Sequence, residues 1–342
     1  MIIVTGGAGF IGSCFINKLN SLGYTDIIVV DNIGNTNKWK NLLNKSFLDF
    51  VDKKKFKEIL EENKFHKYFV DVLSKFKNNS SNIESKINPK VEYIFHFGAC
   101  SSTTESDFNY LLENNYEYSK LMYHFALENN AKFIYASSAA TYGLGESGYS
   151  ESQNLKLRPL NGYGYSKQIF DIWLKNYGQL DNVIGLKFFN VFGPNEYHKA
   201  NMSSMIYKSY LQIKEHNFIN LFKSNTDEYK DGEQLRDFIY IKDTADLVWD
   251  IVKNNEFGIF NIGTGKARSW NDLAKSVFNT LDLDVDIRYI DMPDNIAKQY
   301  QNYTEADLNK INNLELNFKF RTLEDSINDY ITNYLQSDWQ YL

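Results

Sequence analysis

Cysteine and proline are scarce in this sequence: two cysteines and four prolines occur among 342 residues. Cys14 and Cys100 cannot build a disulfide framework, and no spacing of cysteine and histidine resembles a zinc site. We therefore expect a reduced, cytoplasmic protein that binds no metal. The sequence also lacks a basic leader with an apolar core and any run approaching the roughly 18 apolar residues of a membrane span, so we expect no membrane partner.

Positive charge is not in excess either. Lysine and arginine number 37 against 43 aspartates and glutamates, a formal net charge of −6. Proteins that bind nucleic acid neutralise its phosphates with a basic surface, so this balance argues against nucleic acid as the main ligand. Hydrophobic residues at 43% and charged residues at 23% are typical of a folded chain. The length allows one large α/β domain or two that share a core.

Short apolar runs alternate with helix-length stretches from residue 2 to about residue 190. The runs are Ile2–Val4, Ile27–Val30, Tyr93–Phe95, Phe133–Tyr135 and Val183–Leu186. Their apolar character is continuous, as expected of strands buried on both faces, and the stretches between them are long enough for the crossovers that parallel neighbours require. The pattern predicts an α/β fold with a doubly wound parallel sheet of the Rossmann type.

A glycine-rich loop lies directly between the first predicted strand and a helical stretch. Gly6, Gly9 and Gly12 permit a tight turn, close approach of backbone N–H groups to a pyrophosphate, and packing of the helix on the sheet. Such a turn also occurs without a ligand, but its place between strand and helix is the one that dinucleotide binding requires. We expect a bound dinucleotide at the start of this helix.

The residues after the loop leave the choice between NAD and NADP open. Asp31 follows Gly12 by about 20 residues, the spacing at which an acidic residue meets the ribose of NAD. Asn32 comes next. Lys38 and Lys53 would bring positive charge to a ribose 2′-phosphate, unless both are solvated surface charges.

Two small-residue segments follow predicted strands at the edge where ligands bind in such folds. The first consists of Phe97, Gly98, Ala99, Cys100 and Ser101. Its backbone can approach the cofactor without a side-chain clash, and Cys100 is interpreted as a packing residue rather than a nucleophile. The second segment contains Ser138, whose hydroxyl can hydrogen-bond the substrate oxygen whose charge changes during hydride transfer.

Tyr163 and Lys167 are four residues apart, so on a helix their side chains share one face. A phenol with a pKa near ~10 is a poor base at neutral pH, but a nearby ammonium group and a nicotinium charge stabilise its phenolate. Tyr163 can then exchange a proton with a sugar hydroxyl, whereas Tyr165 should point elsewhere. The pair by itself is a weak motif, and its weight comes from the glycine loop and Ser138 in the same chain.

Together these residues resemble the extended short-chain dehydrogenase/reductases that act on nucleotide sugars. Within that family the sequence is similar, nearly end to end, to the branch that epimerises C6″ of ADP-heptose. The segments that carry this likeness are Phe97–Glu105, Tyr135–Gly143, Phe189–Pro194, His198–Lys199, Arg236–Phe238 and Tyr300–Thr304. Residues 60–90 stand out as an insertion.

The resemblance implies an isomerase with tightly bound NADP that inverts C6″ of ADP-D-glycero-β-D-manno-heptose for lipopolysaccharide inner-core synthesis. In that reaction a hydride leaves C6″, the ketone rotates, and the hydride returns to the other face, so no net oxidation occurs. The family assigns acid–base roles to the residues that match Tyr163 and Lys199. It further implies a homo-oligomer, described for the family as a pentamer.

Two sets of binding residues also follow from the resemblance. The cofactor set comprises Gly6, Gly9, Phe10, Ile11, Gly12, Asp31, Asn32, Lys38, Lys53, Phe97, Gly98, Ala99, Cys100, Ser101, Asn114, Lys167 and Val191. Within it, Lys38 and Lys53 favour NADP over NAD. The substrate set comprises Asn190, Asn201, Lys208, Phe222, Lys223, Ser224, Asn225, Arg236 and Tyr300. Arg236 suits a diphosphate because guanidinium offers paired donors, and a salt bridge with Asp237 is the competing interpretation.

The implied division of the chain into domains follows the same likeness. We expect an NADP-binding domain over 1–188 with returns near 239–263 and 316–334, and a smaller α/β substrate domain over 189–238 and 264–315. Strands are also predicted at Phe238–Ile241 and Ile259–Ile262, in or beside the return near 239–263. Residues 53–90, rich in Lys, Asn, Glu and Ser, are interpreted as a solvated surface excursion.

The sequence departs from the family pattern at three positions. Asn201, Lys208 and Phe97 stand where a serine, a histidine and a glutamate are usual. The first two leave the exact nucleotide sugar open, and Phe97 leaves one cofactor contact open. Extra acidic residues within 224–236 could alter the mouth of the pocket.

Two alternatives from different classes stay open on the sequence. A UDP-sugar 4-epimerase uses the same Ser138, Tyr163 and Lys167 chemistry but has no need of a second base at Lys199. A non-catalytic NADP-sensing protein has no reason to keep the three residues together. A 4,6-dehydratase is disfavoured because Ala139 and Ala140 stand where that chemistry requires an acidic pair.

Overall fold

A computed structural model of the chain describes residues 1–76, 90–153, 156–297, 300–314, 316 and 318–342. The strands are β1 (Ile2–Thr5), β2 (Ile27–Asp31), β3 (Asp49–Asp52), β4 (Tyr93–His96), β5 (Lys132–Ser138), β6 (Val183–Phe188), β7 (Asn190–Phe192), β8 (Ile219–Phe222), β9 (Leu235–Tyr240), β10 (Gly258–Ile262), β11 (Ala267–Ser269) and β12 (Ile287–Ile290). Seven of them form one parallel sheet in the order β10-β6-β5-β4-β1-β2-β3. Because β1 lies between β2 and β4, the chain winds away from it in both directions, and a crevice opens at the carboxyl ends of β1 and β4.

Helices cover both faces of this sheet. The helices of the described residues are α1 (Phe10–Ser21), α2 (Lys53–Glu61), α3 (Phe65–Phe76), α4 (Phe108–Leu111), α5 (Tyr118–Glu128), α6 (Gly162–Asn176), α7 (Met205–His216), α8 (Ile241–Lys253), α9 (Trp270–Thr280), α10 (Asp294–Ala297), α11 (Asn309–Asn312) and α12 (Leu323–Tyr330). Helices α1 and α8 lie on one side of the sheet, and α2, α3, α5 and α6 lie on the other. Among the described residues, no helix combines the length and apolar character that crossing a bilayer requires.

Successive residues of each central strand enter opposite hydrophobic cores. Ile2 and Val4 pack with Phe15 of α1 and Trp249 of α8, while Ile3 packs in the other core with Phe56 of α2. This two-sided burial explains the unbroken apolar runs in the sequence, since neither face of the strand meets water. The predicted doubly wound α/β fold is confirmed.

The interpretation of residues 53–90 as a solvated excursion is wrong for residues 53–76. Helix α2 buries Phe56, Ile59 and Leu60, and α3 buries Phe65 and Phe69, all against the sheet. These apolar residues recur at helical spacing, and the abundant lysines and glutamates between them occupy only the solvent face. Residues 77–89, the rest of the supposed insertion, lie outside the described residues.

Short strands were the other features that the sequence pattern did not predict. Strand β3 has four residues at the sheet edge, of which only Val51 is buried, so it carries no continuous apolar run. Strand β9 begins at Leu235, earlier than predicted, and ends at Tyr240, because Ile241 is already the first residue of α8.

A second unit stands over the carboxyl edge of the sheet. It contains the three-stranded sheet β11-β9-β7 and the parallel pair β12-β8. Helices α7, α9 and α12 share a core here that includes Tyr210, Phe278 and Tyr330. The C-terminal segment contributes to both cores, because Phe318 and Phe320 pack against the core of the large sheet while Leu323 and Ile327 pack in the second unit. The predicted domain boundaries stay predictions.

Candidate active site

The glycine loop after β1 forms a cradle without side chains. Gly6 has a φ of +66°, and a Cβ atom on it would lie 2.6 Å from the backbone nitrogen of Gly98 in the loop after β4. A Cβ atom on Gly12, in the first turn of α1, would lie 2.3 Å from the Gly6 carbonyl oxygen. Backbone therefore meets backbone at both positions. Phe10, Ile11 and Gly12 in the first turn of α1 line the cleft, so the N-terminus of this helix can receive the pyrophosphate of a dinucleotide.

Asp31, at the end of β2, has both carboxylate oxygens engaged. Oδ2 accepts the Ala8 N–H at 2.9 Å, while Oδ1 accepts the Asn32 N–H at 2.7 Å and the Lys38 ammonium at 2.6 Å. The Asp31 charge is thus balanced by Lys38 within the protein.

Lys53, at the start of α2, approaches the same crevice from the other side. Its Nζ donates to the Asn114 side-chain oxygen and lies 4.6 Å from the centre of the Tyr118 ring. Burial lowers its pKa, a cost that a bound anion would offset. Two lysines thus flank the end of β2, where the ribose of the adenosine is expected.

Ser138, Tyr163 and Lys167 come together at the carboxyl end of β5. The Ser138 hydroxyl lies beside the Tyr163 phenol in the wall of the same cleft, and the Lys167 ammonium donates to the Ala136 carbonyl at 2.9 Å. Tyr165, as expected, points away: it is 47% exposed and stacks on Phe108. Asn161 caps α6 by accepting the Gly164 N–H, so the helix begins just before Tyr163.

Burial sets the acid–base properties of this trio. It raises the pKa of the Tyr163 phenol, and the Ser138 hydrogen bond acts in the opposite direction by stabilising the phenolate. Burial lowers the pKa of the Lys167 ammonium to about 8, although the Asp171 carboxylate one helical turn later favours the charged form. Lys167 is therefore close to its titration point at physiological pH.

We expect Lys167→Met to raise the free energy of unfolding at pH 7 while activity is lost. The buried ammonium destabilises the fold, and a depression of its pKa from 10.5 to about 8 corresponds to at most roughly 3 kcal/mol. This cost is complete below pH 8. Between pH 8 and 10.5 the unfolded chain binds more protons than the folded one, so the cost shrinks as pH rises. Urea unfolding at pH 7 and pH 10 measures the difference.

The matched control is Lys175→Met, an exposed lysine on the same helix. It should leave the unfolding free energy nearly unchanged at both pH values. An equal gain at pH 7 and pH 10 for Lys167→Met, or a loss at both, would contradict the expectation.

Lys199 reaches the crevice from the second unit. It lies in a turn over Tyr197–Met202, where the buried Glu196 carboxylate accepts the Gly193 N–H at 3.2 Å and the Ser204 hydroxyl at 2.7 Å. Its Nζ lies 5.4 Å from the centre of the Phe10 ring. Burial lowers the pKa of Lys199, and the Glu196 charge opposes that shift. A lowered pKa makes the Lys199 ammonium a better proton donor than that of an exposed lysine.

One cleft of about 670 Å³ connects these groups. Its walls contain every residue predicted for the cofactor and all four predicted catalytic residues, Ser138, Tyr163, Lys167 and Lys199. Their assigned roles stay predictions, but the fold does bring them together. Groups of acidic, cysteine and histidine side chains able to hold a metal ion do not occur among the described residues.

The predicted substrate residues divide into two groups. Asn190 lines the cleft, whereas Asn201, Lys208, Phe222, Lys223, Ser224, Asn225, Arg236 and Tyr300 lie outside its wall. The Lys208 ammonium donates to the Asn201 backbone carbonyl at 2.8 Å. Lys223 is exposed and pairs with Asp291 at 2.8 Å. The segment 222–225 thus follows β8 at a distance from the reacting groups.

Arg236 is buried between two aromatic rings. Its guanidinium carbon lies 4.9 Å from the Tyr300 ring centre and 5.5 Å from that of Trp270, which lines the cleft. Within the described residues it forms no ion pair. The salt bridge between Arg236 and Asp237 that the sequence suggested is absent among the described residues. The Asp237 carboxylate accepts instead from the backbone N–H groups of Thr264, Gly265 and Ala306.

Several residues of the cleft wall were missed in the sequence. They include Thr103, Tyr110, His198, Met202, Trp270 and Gln301. His198 directly precedes the predicted site residue Lys199, and this position in the sequence could have indicated that it lines the cleft. Its Nδ1 lies 3.2 Å from the Asn41 amide nitrogen, and burial lowers its pKa to about 4, so the imidazole is neutral. The others lie far apart in the chain and carry no common pattern.

The glycine cradle, the Ser138–Tyr163–Lys167 trio and the doubly wound sheet define a dinucleotide-dependent enzyme that acts on a hydroxyl or carbonyl group. The chain belongs to the NAD dependent epimerase/dehydratase family, whose model matches residues 2–263. The predicted membership in a nucleotide-sugar epimerase family is confirmed.

Curated relatives cover the whole chain. It is 44% identical over 338 residues to the ADP-L-glycero-D-manno-heptose-6-epimerase of Nitratidesulfovibrio vulgaris, with 98% of each sequence covered. A protein of the same name from Fusobacterium nucleatum is also 44% identical, with all of both sequences covered.

Solved structures agree with the fold. The crystal structure of Helicobacter pylori ADP-L-glycero-D-manno-heptose-6-epimerase matches with a TM-score of 0.77 and 27% identity, covering 97% of this chain and 95% of that one. A UDP-glucose 4-epimerase from Thermotoga maritima matches with a TM-score of 0.72 at 22% identity, covering 96% and 97%. The second likeness concerns the fold alone.

Proposed function

We propose that this protein inverts C6″ of ADP-D-glycero-β-D-manno-heptose to give the L-glycero epimer, as a step of lipopolysaccharide inner-core synthesis. The observation that carries the proposal is the presence of Lys199 in the same cleft as Ser138, Tyr163 and Lys167. Inversion at C6″ requires proton exchange with an oxygen in two orientations, and two separate acid–base groups serve that need. The names of the relatives at 44% identity support the same substrate.

Within this proposal, Tyr163 and Ser138 serve one orientation of the C6″ oxygen. A bound nicotinamide supplies the removal and return of the hydride. The Tyr163 phenolate takes the hydroxyl proton in this orientation, while the Ser138 hydroxyl donates to the oxygen. Because the rotated oxygen receives its proton from Lys199, proton exchange with solvent returns Tyr163 and Lys199 to their starting states. The Lys167 ammonium stabilises the phenolate by its positive charge.

Lys199 serves the other orientation. Since Glu196 holds the turn that carries it through hydrogen bonds to Gly193 and Ser204, the Lys199 amine has a defined position on the second unit. After the carbonyl has rotated, its oxygen faces Lys199 instead of Tyr163. Lys199 then holds or donates the proton on that side.

Arg236 is the group proposed for the diphosphate of the substrate. Its guanidinium is buried without an ion pair among the described residues, and burial lowers its pKa. An anion would compensate the buried charge, and the planar fork offers two parallel donors to phosphate oxygens. Trp270, which contacts Arg236 and lines the cleft, connects this position to the reacting groups.

We propose NADP as the resident cofactor. Lys38 neutralises Asp31, so the carboxylate does not repel a 2′-phosphate, and Lys53 adds a second cation. We expect Lys38→Ala to weaken NADP binding by about 10- to 100-fold, the loss of one charge-assisted hydrogen bond. NAD binding should be kept or improved, because Asp31 is then free for a ribose hydroxyl. Calorimetric titration of cofactor-depleted protein with each dinucleotide measures both effects.

The control for this titration is Lys54→Ala, an exposed lysine beside Lys53. It carries the same charge change near the same crevice and should leave both affinities unchanged. Equal losses of NADP affinity in the two variants would show that general charge, rather than a 2′-phosphate contact, is measured.

The test of the function is conversion of the sugar by the purified protein without added cofactor. ADP-D-glycero-β-D-manno-heptose is incubated with the protein, and the C6″ configuration is followed by NMR. Formation of the L-glycero epimer without net change in nicotinamide absorbance supports the proposal. No conversion, with turnover of a UDP-sugar at C4″ instead, would favour a UDP-sugar 4-epimerase.

Assembly and location follow from the same likeness. We propose a homo-oligomer, a pentamer, that acts in the cytoplasm on this small-molecule substrate. Sedimentation of the purified protein measures its stoichiometry.

A further inference from the structure

A buried ion pair lies directly behind the catalytic trio. The Lys187 ammonium on β6 is 2.8 Å from the Asp171 carboxylate on α6, and both side chains are at most 1% exposed. The carboxylate also accepts the Tyr135 hydroxyl at 2.8 Å and the Ser137 hydroxyl at 2.9 Å. Lys187 donates in addition to the Thr141 hydroxyl at 2.6 Å. All the partners belong to β5 or the turn that follows it.

The network connects to the catalytic residues through backbone atoms. The Thr141 hydroxyl, which accepts from Lys187, donates to the Ser138 carbonyl at 2.8 Å. The Lys167 ammonium donates to the carbonyl of Ala136, the residue between the two hydroxyl donors to Asp171. Lys167 and Asp171 are one helical turn apart. The pair therefore ties the segment that carries Ser138 to the helix that carries Tyr163 and Lys167.

A hydrophobic core does not require a buried ion pair that is held by this many hydrogen bonds. Replacement of a buried ion pair by apolar residues of similar volume is often neutral or stabilising, so stability alone does not explain its position. Gly185 leaves the space in which the Tyr135 hydroxyl reaches Asp171, since a Cβ atom there would lie 2.6 Å from that oxygen. The chain thus makes room for the network.

We propose that Lys187 and Asp171 are positioning residues that fix Ser138 against Tyr163 and keep Lys167 charged. The proposal rests on the acid–base roles in the proposed function. Asp171 supplies the negative charge that the Lys167 ammonium requires in a buried site. Lys187 balances the charge of Asp171 from the far side, at 2.8 Å.

Other charged and titratable groups surround Lys167, and each bears on the test. They are Tyr163 on its own helix, His96 on β4, Cys100 in the loop after β4, and Lys53 at the start of α2, which faces His96. Burial and the neighbouring lysines lower the pKa of His96 well below its usual range, so its imidazole is neutral. Asp171 is the first of the charges that favour the ammonium form of Lys167.

The test is the titration of Lys167 in Asp171→Asn. The side-chain amine resonances of the lysines are followed by NMR against pH for each protein and for its Lys167→Met counterpart, and the difference isolates one amine. Loss of the Asp171 charge removes the first of the interactions that favour the Lys167 ammonium. We expect Lys167 to lose its proton about one pH unit lower than in the unaltered protein. Lys187→Arg alone, which keeps the positive charge beside the unaltered Asp171, should leave the Lys167 titration in place.

A matched ion pair elsewhere serves as the control. Asp329 on α12 accepts the Tyr240 hydroxyl at 2.6 Å and the Lys242 ammonium at 2.6 Å, the same donor types that meet Asp171. Asp329→Asn removes an equivalent pair outside the cleft. It should lower the unfolding temperature without moving the Lys167 titration. An unmoved titration in Asp171→Asn, with only stability lost, overturns the proposal.

A second variant guards against misfolding of Asp171→Asn, which leaves Lys187 buried and unpaired. Asp171→Asn combined with Lys187→Met carries no unpaired charge. Because Asp171 is the nearer partner of Lys167, this double variant should shift the titration in the same direction by a smaller amount. The titration uses no sugar, so its outcome is independent of the conversion assay. A failure to convert ADP-heptose would contradict the proposed function, while the titration would still test the coupling of Asp171 to Lys167.

Discussion

Tyr163→Phe is expected to reduce epimerisation by about 10²- to 10⁴-fold, the usual effect of removing a positioned acid–base group. The variant loses the phenol oxygen that lies beside Ser138 at the end of β5. It should keep its bound dinucleotide, because the glycine cradle and the lysines beside Asp31 are untouched. Turnover followed by NMR and cofactor content measured after denaturation test both parts.

Tyr165→Phe is the matched control. It makes the same chemical change two residues away, on a side chain that is 47% exposed and stacks on Phe108. Its turnover should equal that of the unaltered protein. Full activity of Tyr163→Phe with bound cofactor would remove Tyr163 from the chemistry and favour a non-catalytic, nucleotide-sensing role for the fold.

Lys199→Met is expected to lower turnover by a comparable factor, about 10²- to 10⁴-fold, because only one orientation of the C6″ oxygen then has a proton donor. Burial lowers the pKa of the Lys199 ammonium, so the amine exchanges its proton more readily near neutral pH than an exposed lysine. The fraction of protein that retains cofactor should change little. Initial rates in the NMR assay measure the loss.

Lys214→Met is the control for this change. Lys214 is exposed on α7, so its removal alters the net charge equally without touching the cleft. Unchanged turnover in Lys199→Met would mean that one acid–base group is enough, which is the requirement of a 4-epimerase rather than of a 6-epimerase. The two large effects thus test different parts of the proposed chemistry.

The cofactor half of the site could be predicted from the sequence to a large extent. Gly6, Gly9 and Gly12 lie in one loop, and Tyr163 and Lys167 lie on one helical turn, so short spacing already fixes their relative positions. The residues at strand ends, such as Ser138, could be added because the carboxyl ends of parallel strands share one edge. All of them line the cleft.

The substrate half was much harder to predict. Arg236 and Tyr300 were both assigned to the substrate pocket, and the structure adds Trp270 on the other side of Arg236, which no pattern indicated. Segment 222–225 is not in the wall of the cleft, because β8 pairs with β12 outside the large sheet, and its role stays a prediction. Residues 53–76 were misjudged because charged side chains on the solvent face outnumber the few apolar residues that α2 and α3 bury.

The order of residues along the chain was enough to predict the class of fold, the nucleotide loop and the Ser138–Tyr163–Lys167 trio, because these depend on short spacings or on a regular alternation of strands and helices. Which distant charges meet follows only from the folded chain. Lys187 pairs with Asp171, Lys38 neutralises Asp31, and Arg236 lies between two rings rather than beside Asp237. Such contacts arise from strand order and helix packing, so their energies depend on distances that no spacing along the chain contains.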